Sequence, residues 1–123
     1  MNLSHEFDPI RQWAEERLLL VKGDLKTQTL KLLEEAGELA KAVIERPATP
    51  DGEEIDNTEI WDAIGDCVVV LTSIAYFSGK PIEDCINMAY QVIANRTGKM
   101  VGESWVRDKQ NAPGPHGPGD ELG

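Results

Sequence analysis

Histidine is almost missing from this chain: among 123 residues there are two, His5 and His116, one near each end. A ferritin-like di-iron bundle needs Glu-x-x-His pairs on its helices. None is present, so oxygen chemistry at iron is disfavoured, and no Ser or Cys nucleophile has a helical histidine partner. Cysteine is as scarce, with Cys67 and Cys85 both in helical patterns beside apolar neighbours. That is the pattern of buried free thiols in a reducing compartment, so a cytoplasmic setting is expected. Bases are few, 12 Lys and Arg against 22 Asp and Glu, for a formal charge of −10. Phosphate backbones are gripped by Lys and Arg, so a nucleic-acid partner is not expected. No apolar run approaches the roughly 20 residues that span a bilayer, so no membrane partner is expected either. "MNLSHEFDPIRQWAEERLLL" has no basic segment ahead of an apolar stretch, which disfavours a secretory signal. There is no G-x-x-x-x-G-K-[ST] phosphate loop.

What is present suits one globular domain, with 41% apolar and 28% charged residues. Asp8-Pro9 reads as a helix start, Asp as N-cap and Pro at the first helical position. Ile10, Trp13, Leu18 and Leu20 follow, and Lys22-Gly23 closes that helix. A second helix is predicted from near Asp24 to Glu45, ended by Arg46-Pro47, with a surface loop over 46–56. The stretch from Glu59 to Ser78 is too long for a typical strand despite its Val68-Val69-Val70 core, and Gly79 supplies a C-cap, so it reads as a third helix. The fourth runs from Pro81 to about Arg96, with Ile82, Cys85, Ile86, Ala89, Tyr90 and Ile93 as its apolar stripe. From Asp108 the Pro/Gly-rich "DKQNAPGPHGPGDELG" should be disordered. The expectation is an all-α, four-helix bundle over residues 1–107 and a tail over 108–123.

"KLLEEAGELAKAVIE", residues 31–45, carries Glu34, Glu35 and Glu38 within an arc of roughly 100°. Like charges at such spacings repel, at a cost of a few tenths of a kcal/mol each. The bland reading is a solvated face helped by Lys31 and Lys41. The third helix shifts the balance. From Cys67 to Phe77 it is apolar on every side, as in a core or between subunits, yet Asp62 and Asp66 stand at its near end. No base lies between Arg46 and Lys80. Acids from two helices without matching bases are best neutralised by divalent cations, and oxygen ligands without histidine point to Mg²⁺ or Mn²⁺ rather than zinc.

The block "EEAGE", then "DAIGDCVVVL" from Asp62 after a loop, then "INMAYQVIANRTGKM", resembles the MazG-like family, phage-type members above all, over roughly residues 10–106. Members are all-α nucleoside triphosphate pyrophosphohydrolases. One departure stands out. The family's second block usually has Glu three residues before the Asp of "GD"; here that position is Ala63, and Asp66 maps cleanly. Asp62, a helical turn from Asp66, is the candidate for the missing role, and Glu59-Ile60-Trp61-Asp62 is an alternative, weaker register.

The resemblance implies cleavage between the α and β phosphates, giving a nucleoside monophosphate and pyrophosphate, with two or more Mg²⁺ or Mn²⁺ ions. Glu35, Glu38 and Asp66 are then the expected metal ligands, with Glu34 and Asp62 close by. Glu34 or Glu35 is the candidate to orient the attacking water or take its proton. Lys31, Arg96 and Lys99 are candidates for the phosphate tail, and Trp13 with Asn95 for the base. Trp61 and Trp105 are left to the core or a subunit interface. The phage-like third block leans toward dGTP or GTP, as in the MazZ branch of the family. An all-round apolar helix in so short a chain also predicts a homodimer or homotetramer. Two rivals are a non-catalytic helical regulatory or dimerisation module, which Ala63 favours, and a phosphoribosyl-ATP pyrophosphohydrolase.

Overall fold

The computed structural model describes residues 3–47, 52 and 55–109. These are mostly helical, with one small sheet, and the chain forms two compact units, Met1–Ala89 and Tyr90–Gly123.

In the first unit α1 spans Ser4–Glu16, α2 Leu19–Lys22, α3 Leu25–Ile44 and α4 Thr58–Ser78, and α5 (Ile82–Ile93) begins there. α3 and α4 pack along one another, and α1 and α2 rest on α4. The sequence places α3 and α4 correctly for local reasons. Asp24 caps α3, its carboxylate accepting from the Thr27 N–H at 2.8 Å. Gly79, at φ 99°, takes the left-handed position that ends α4.

The first predicted helix is corrected at both ends. It starts at Ser4, not Asp8, and Pro9 lies inside it. Phe7 is the reason: its side chain is buried with Ala75 and Ile82, and the Glu6 and Phe7 N–H groups both donate to the Leu3 carbonyl. That anchor outweighs the backbone hydrogen bond that Pro9 cannot make. Asp8 does not cap; it pairs with Arg11. The helix also stops at Glu16, because Leu18 adopts φ 57°, and α2 restarts after it. One predicted helix is therefore two.

The core of the first unit is thin. Its buried apolar residues are Phe7, Ala14, Ala63, Val70, Ala75 and Ile82, three of them alanine. Against the Phe7–Ala75–Ile82 cluster pack the half-buried Leu3, Ile10, Val68, Cys85 and Ile86. Arg11 adds a polar tie, its fork donating to both carboxylate oxygens of Glu83 at 2.6 and 2.7 Å and so fastening α1 to the start of α5. Cys67 and Cys85 are free thiols, half-buried rather than buried. α4 is covered on one side: Val70, Thr72, Ser73 and Ala75 are buried, whereas Trp61, Ile64, Leu71 and Tyr76 are exposed. With a mean hydropathy of 1.5 over an 18-residue window, α4 is the one described helix long and apolar enough to cross a bilayer. Three acids, Glu59, Asp62 and Asp66, interrupt its first half, so the sequence shows no unbroken apolar run of that length.

The second unit holds the end of α5 and a hairpin that the sequence reading did not anticipate. β1 (Gly98–Val101) pairs antiparallel with β2 (Ser104–Arg107), Met100 opposite Trp105. Gly102, at φ 61°, supplies the tight turn. Gly98 is required because a Cβ there would lie 2.4 Å from the Trp105 ring. α5 ends at Ile93, short of the predicted Arg96. Asp108 is no part of a free tail: its N–H donates to the Thr97 carbonyl at 2.8 Å, and its carboxylate accepts from the Thr97 hydroxyl at 2.7 Å. The rest of the expected tail, 110–123, lies outside the described residues.

Candidate functional site

Helical spacing puts two residues of α3 and two of α4 on facing stripes. Gln28 and Glu35 are seven apart on α3, and Asp66 and Ser73 are seven apart on α4, so each pair lies within about 20° on its helix. Where the helices pack, Glu35, Glu38 and Asp66 come together, with one carboxylate oxygen of each within 4.8 Å of the others.

The three acids of the 31–45 stretch therefore part company. Glu35 points inward and is 8% exposed; Glu34 and Glu38 are exposed. Lys31 sits between the first two, its ammonium 3.2 Å from Glu35 Oε1 and 3.3 Å from Glu34 Oε2. Hydrogen bonds to Glu35, then to Glu34, push the Lys31 pKa above its ordinary value. Glu35 Oε2 is left buried and without a hydrogen-bond partner among the described residues. A buried carboxylate oxygen in that state is costly unless something cationic or protic meets it. Oxygen donors alone, from two rigid helices, fit a hard divalent cation.

Glu34 stays outside this cluster, on Lys31. Asp62 stands in a neighbouring groove of about 410 Å³ with Glu38, Glu45, Glu59 and Asp66. Ala63 is buried on the wall of that groove, so the position where the resembling family carries Glu offers only a methyl group.

Beside the carboxylates opens a larger cavity of about 620 Å³. Pro9, Ile10, Trp13, Leu19, Val69 and Val70 form apolar walls, and Glu35, Asp66 and Lys31 lie at its charged part. Trp13 thus reaches a cavity rather than the core; it is 44% exposed, and the Arg17 guanidinium lies 4.6 Å from its ring centroid. Gln28, Thr27 and Ser73, which the sequence reading did not nominate as ligand contacts, line the same cavity. The signal for Gln28 was its seven-residue spacing from Glu35.

Asn95, Arg96 and Lys99 belong to the second unit. There Asn95 and Arg96 line a separate cavity of about 270 Å³ with Thr97, Arg107 and Lys109. The Asn95 amide donates to the Gln91 carbonyl at 3.0 Å, and Arg96 Nε is buried with no hydrogen-bond partner among the described residues. Lys99 is on β1, across from Val106. Trp61 and Trp105 are 62% and 50% exposed in the single chain.

No protein-family model and no solved structure matches the chain. A stretch of 66 residues is 41% identical to an uncharacterized 18.2 kDa protein of the rep-hol intergenic region of Haemophilus phage HP1. The match takes in 54% of this chain and 35% of the phage protein, so the chain spans about a third of that relative's length.

Proposed function

We propose that the chain is a MazG-like nucleoside triphosphate pyrophosphohydrolase that needs Mg²⁺ or Mn²⁺ and leans to dGTP or GTP. One observation carries the reading: Glu35, Glu38 and Asp66 converge from two helices, and an oxygen of Glu35 is buried there without a partner. Glu35, Glu38 and Asp66 would hold the cations, with Asp62 next to them in the adjoining groove. Bound divalent cations neutralise phosphate oxygens and lower the pKa of a coordinated water. Glu34 is outside the cluster and Glu35 inside it, which leaves Glu35 the better placed of the two to orient a water over the α phosphate or accept its proton. A triphosphate brings more negative charge than two cations cancel, and Lys31 supplies positive charge at the cavity to meet it. The phage relative supports a viral setting and says nothing of activity.

The assembly proposed is a homodimer or homotetramer. Leu30, Leu33 and Ile44 of α3 and Trp61 of α4 are each more than 60% exposed, beside a thin core. Surface of that kind on neighbouring helices fits a second copy.

The test is product identity. The purified chain, given dGTP with Mg²⁺ or Mn²⁺, should release dGMP and pyrophosphate, resolved by ion-exchange chromatography. Release of orthophosphate and dGDP, or no turnover across a panel of nucleoside triphosphates and phosphoribosyl-ATP, overturns the proposal.

A further inference from the structure

The cavity beside the carboxylates contains a polar group that the metal site does not use. Gln28 is 8% exposed and lines the cavity. Ser73, 3% exposed, lies on the facing helix and lines the same space. Buried side-chain polar groups are nearly always paired with protein, water or ligand. A cavity of about 620 Å³ with mostly apolar walls and a few convergent polar groups is of the size that small planar molecules occupy.

We infer that Gln28 is the hydrogen-bond partner of a nucleobase edge in this cavity, with the base held between Trp13 and the valines of α4. The inference rests on the nucleotide reading proposed above and deepens it. A carboxamide presents a donor and an acceptor side by side. The Watson–Crick edge of every DNA base presents an adjacent donor and acceptor too, so Gln28, turned one way or the other, pairs with any of the four. It anchors a base without choosing one. The carboxylate of a Gln28→Glu variant offers acceptors only, which match the adjacent N1–H and N2–H of guanine and no other base.

The experiment needs no turnover. Saturation-transfer NMR on the wild-type chain in EDTA should show contact to the base protons of deoxynucleosides, and none to 2-deoxyribose. Gln28→Leu should weaken that binding by about tenfold and raise KM for all four deoxynucleoside triphosphates by a similar factor, the scale of one or two hydrogen bonds. Gln28→Glu should shift the ranking toward guanine. Absence of base-proton contact in the wild type, unchanged KM for Gln28→Leu, or an unchanged ranking for Gln28→Glu overturns the inference. Base contact without any hydrolysis would sink the proposed activity and leave the base site standing. Hydrolysis with Gln28→Leu indistinguishable from wild type would do the reverse.

Discussion

The two units of the chain differ in charge, the first strongly acidic and the second balanced. Residues 1–89 hold eighteen Asp and Glu against eight Lys and Arg; residues 90–123 hold four against four. Each contains one buried polar atom without a partner among the described residues: a carboxylate oxygen of Glu35 in the first, the Nε of Arg96 in the second. One is an acceptor that asks for a cation, the other a donor that asks for an anion. The whole net charge of −10 belongs to the first unit, and composition could report only the sum. The units differ in construction too. The acidic one rests on long helices with caps, the balanced one on a helix end and a two-stranded hairpin, an element of marginal stability by itself.

The sharpest way to break this comparison is to remove the acidic unit's inward charge. Glu35→Gln should lower kcat by about 10³-fold, the scale of losing a general base. Its apo melting temperature should hold or rise, because an amide in that place relieves repulsion from Glu38 and Asp66 while still accepting from Lys31. Unfolding of this apo variant would mean that the acids hold the fold together. Metal binding gives the second largest effect. Saturating Mg²⁺ or Mn²⁺ should stabilise the wild type by about 2.7 kcal/mol at a hundredfold excess over Kd, and Glu38→Gln or Asp66→Asn should lose most of that gain in thermal melts.

Arg11→Ala should leave metal affinity alone and cost about 1–3 kcal/mol of stability, because it removes the two-pronged tie from α1 to a Glu83 carboxylate that is 15% exposed. Hydrogen bonds to Glu83, then to Asp8, hold the Arg11 guanidinium above its already high pKa, so it stays charged however alkaline the melt.

The smallest effect is on pH. The Thr27 backbone and hydroxyl hold the Asp24 pKa below the ordinary carboxylate range, and Thr58 does the same for Asp56. A lowered folded pKa stabilises above the unfolded value of about 4, and that stabilisation fades as pH falls through the folded value. Melts from pH 6 to pH 2 should therefore show Asp24→Asn losing less stability than wild type at the acid end.

Much of the acidic unit was legible from its residues alone. Asp24 with Thr27, and Gly79 after an apolar helix, are local signals, and α3 and α4 end where those signals say. The pairing of EEAGE with Asp66 was legible too, since both lie on periodic helices that had to pack. The start of α1 was not, because Asp8-Pro9 is a strong local signal and Phe7 overrides it through contacts with Ala75 and Ile82, about 70 residues away. The hairpin was missed although Gly102-Glu103 is a two-residue turn, because α5 was carried on to Arg96 and nothing in the short strands has a helix-length pattern.

By itself the sequence determined that the chain is chiefly helical, that carboxylates crowd one face of α3, and that Asp62 and Asp66 stand on α4. These follow from periodicity and caps, which act over a few residues. Which carboxylate turns inward was a tertiary decision. Glu34 and Glu35 differ by one position, about 100° of helix, and only the approach of α4 separates the exposed acid on Lys31 from the buried one facing Asp66. The cavity with Gln28 on its wall is also a tertiary product, since it exists only where α1, α3 and α4 fail to close on one another.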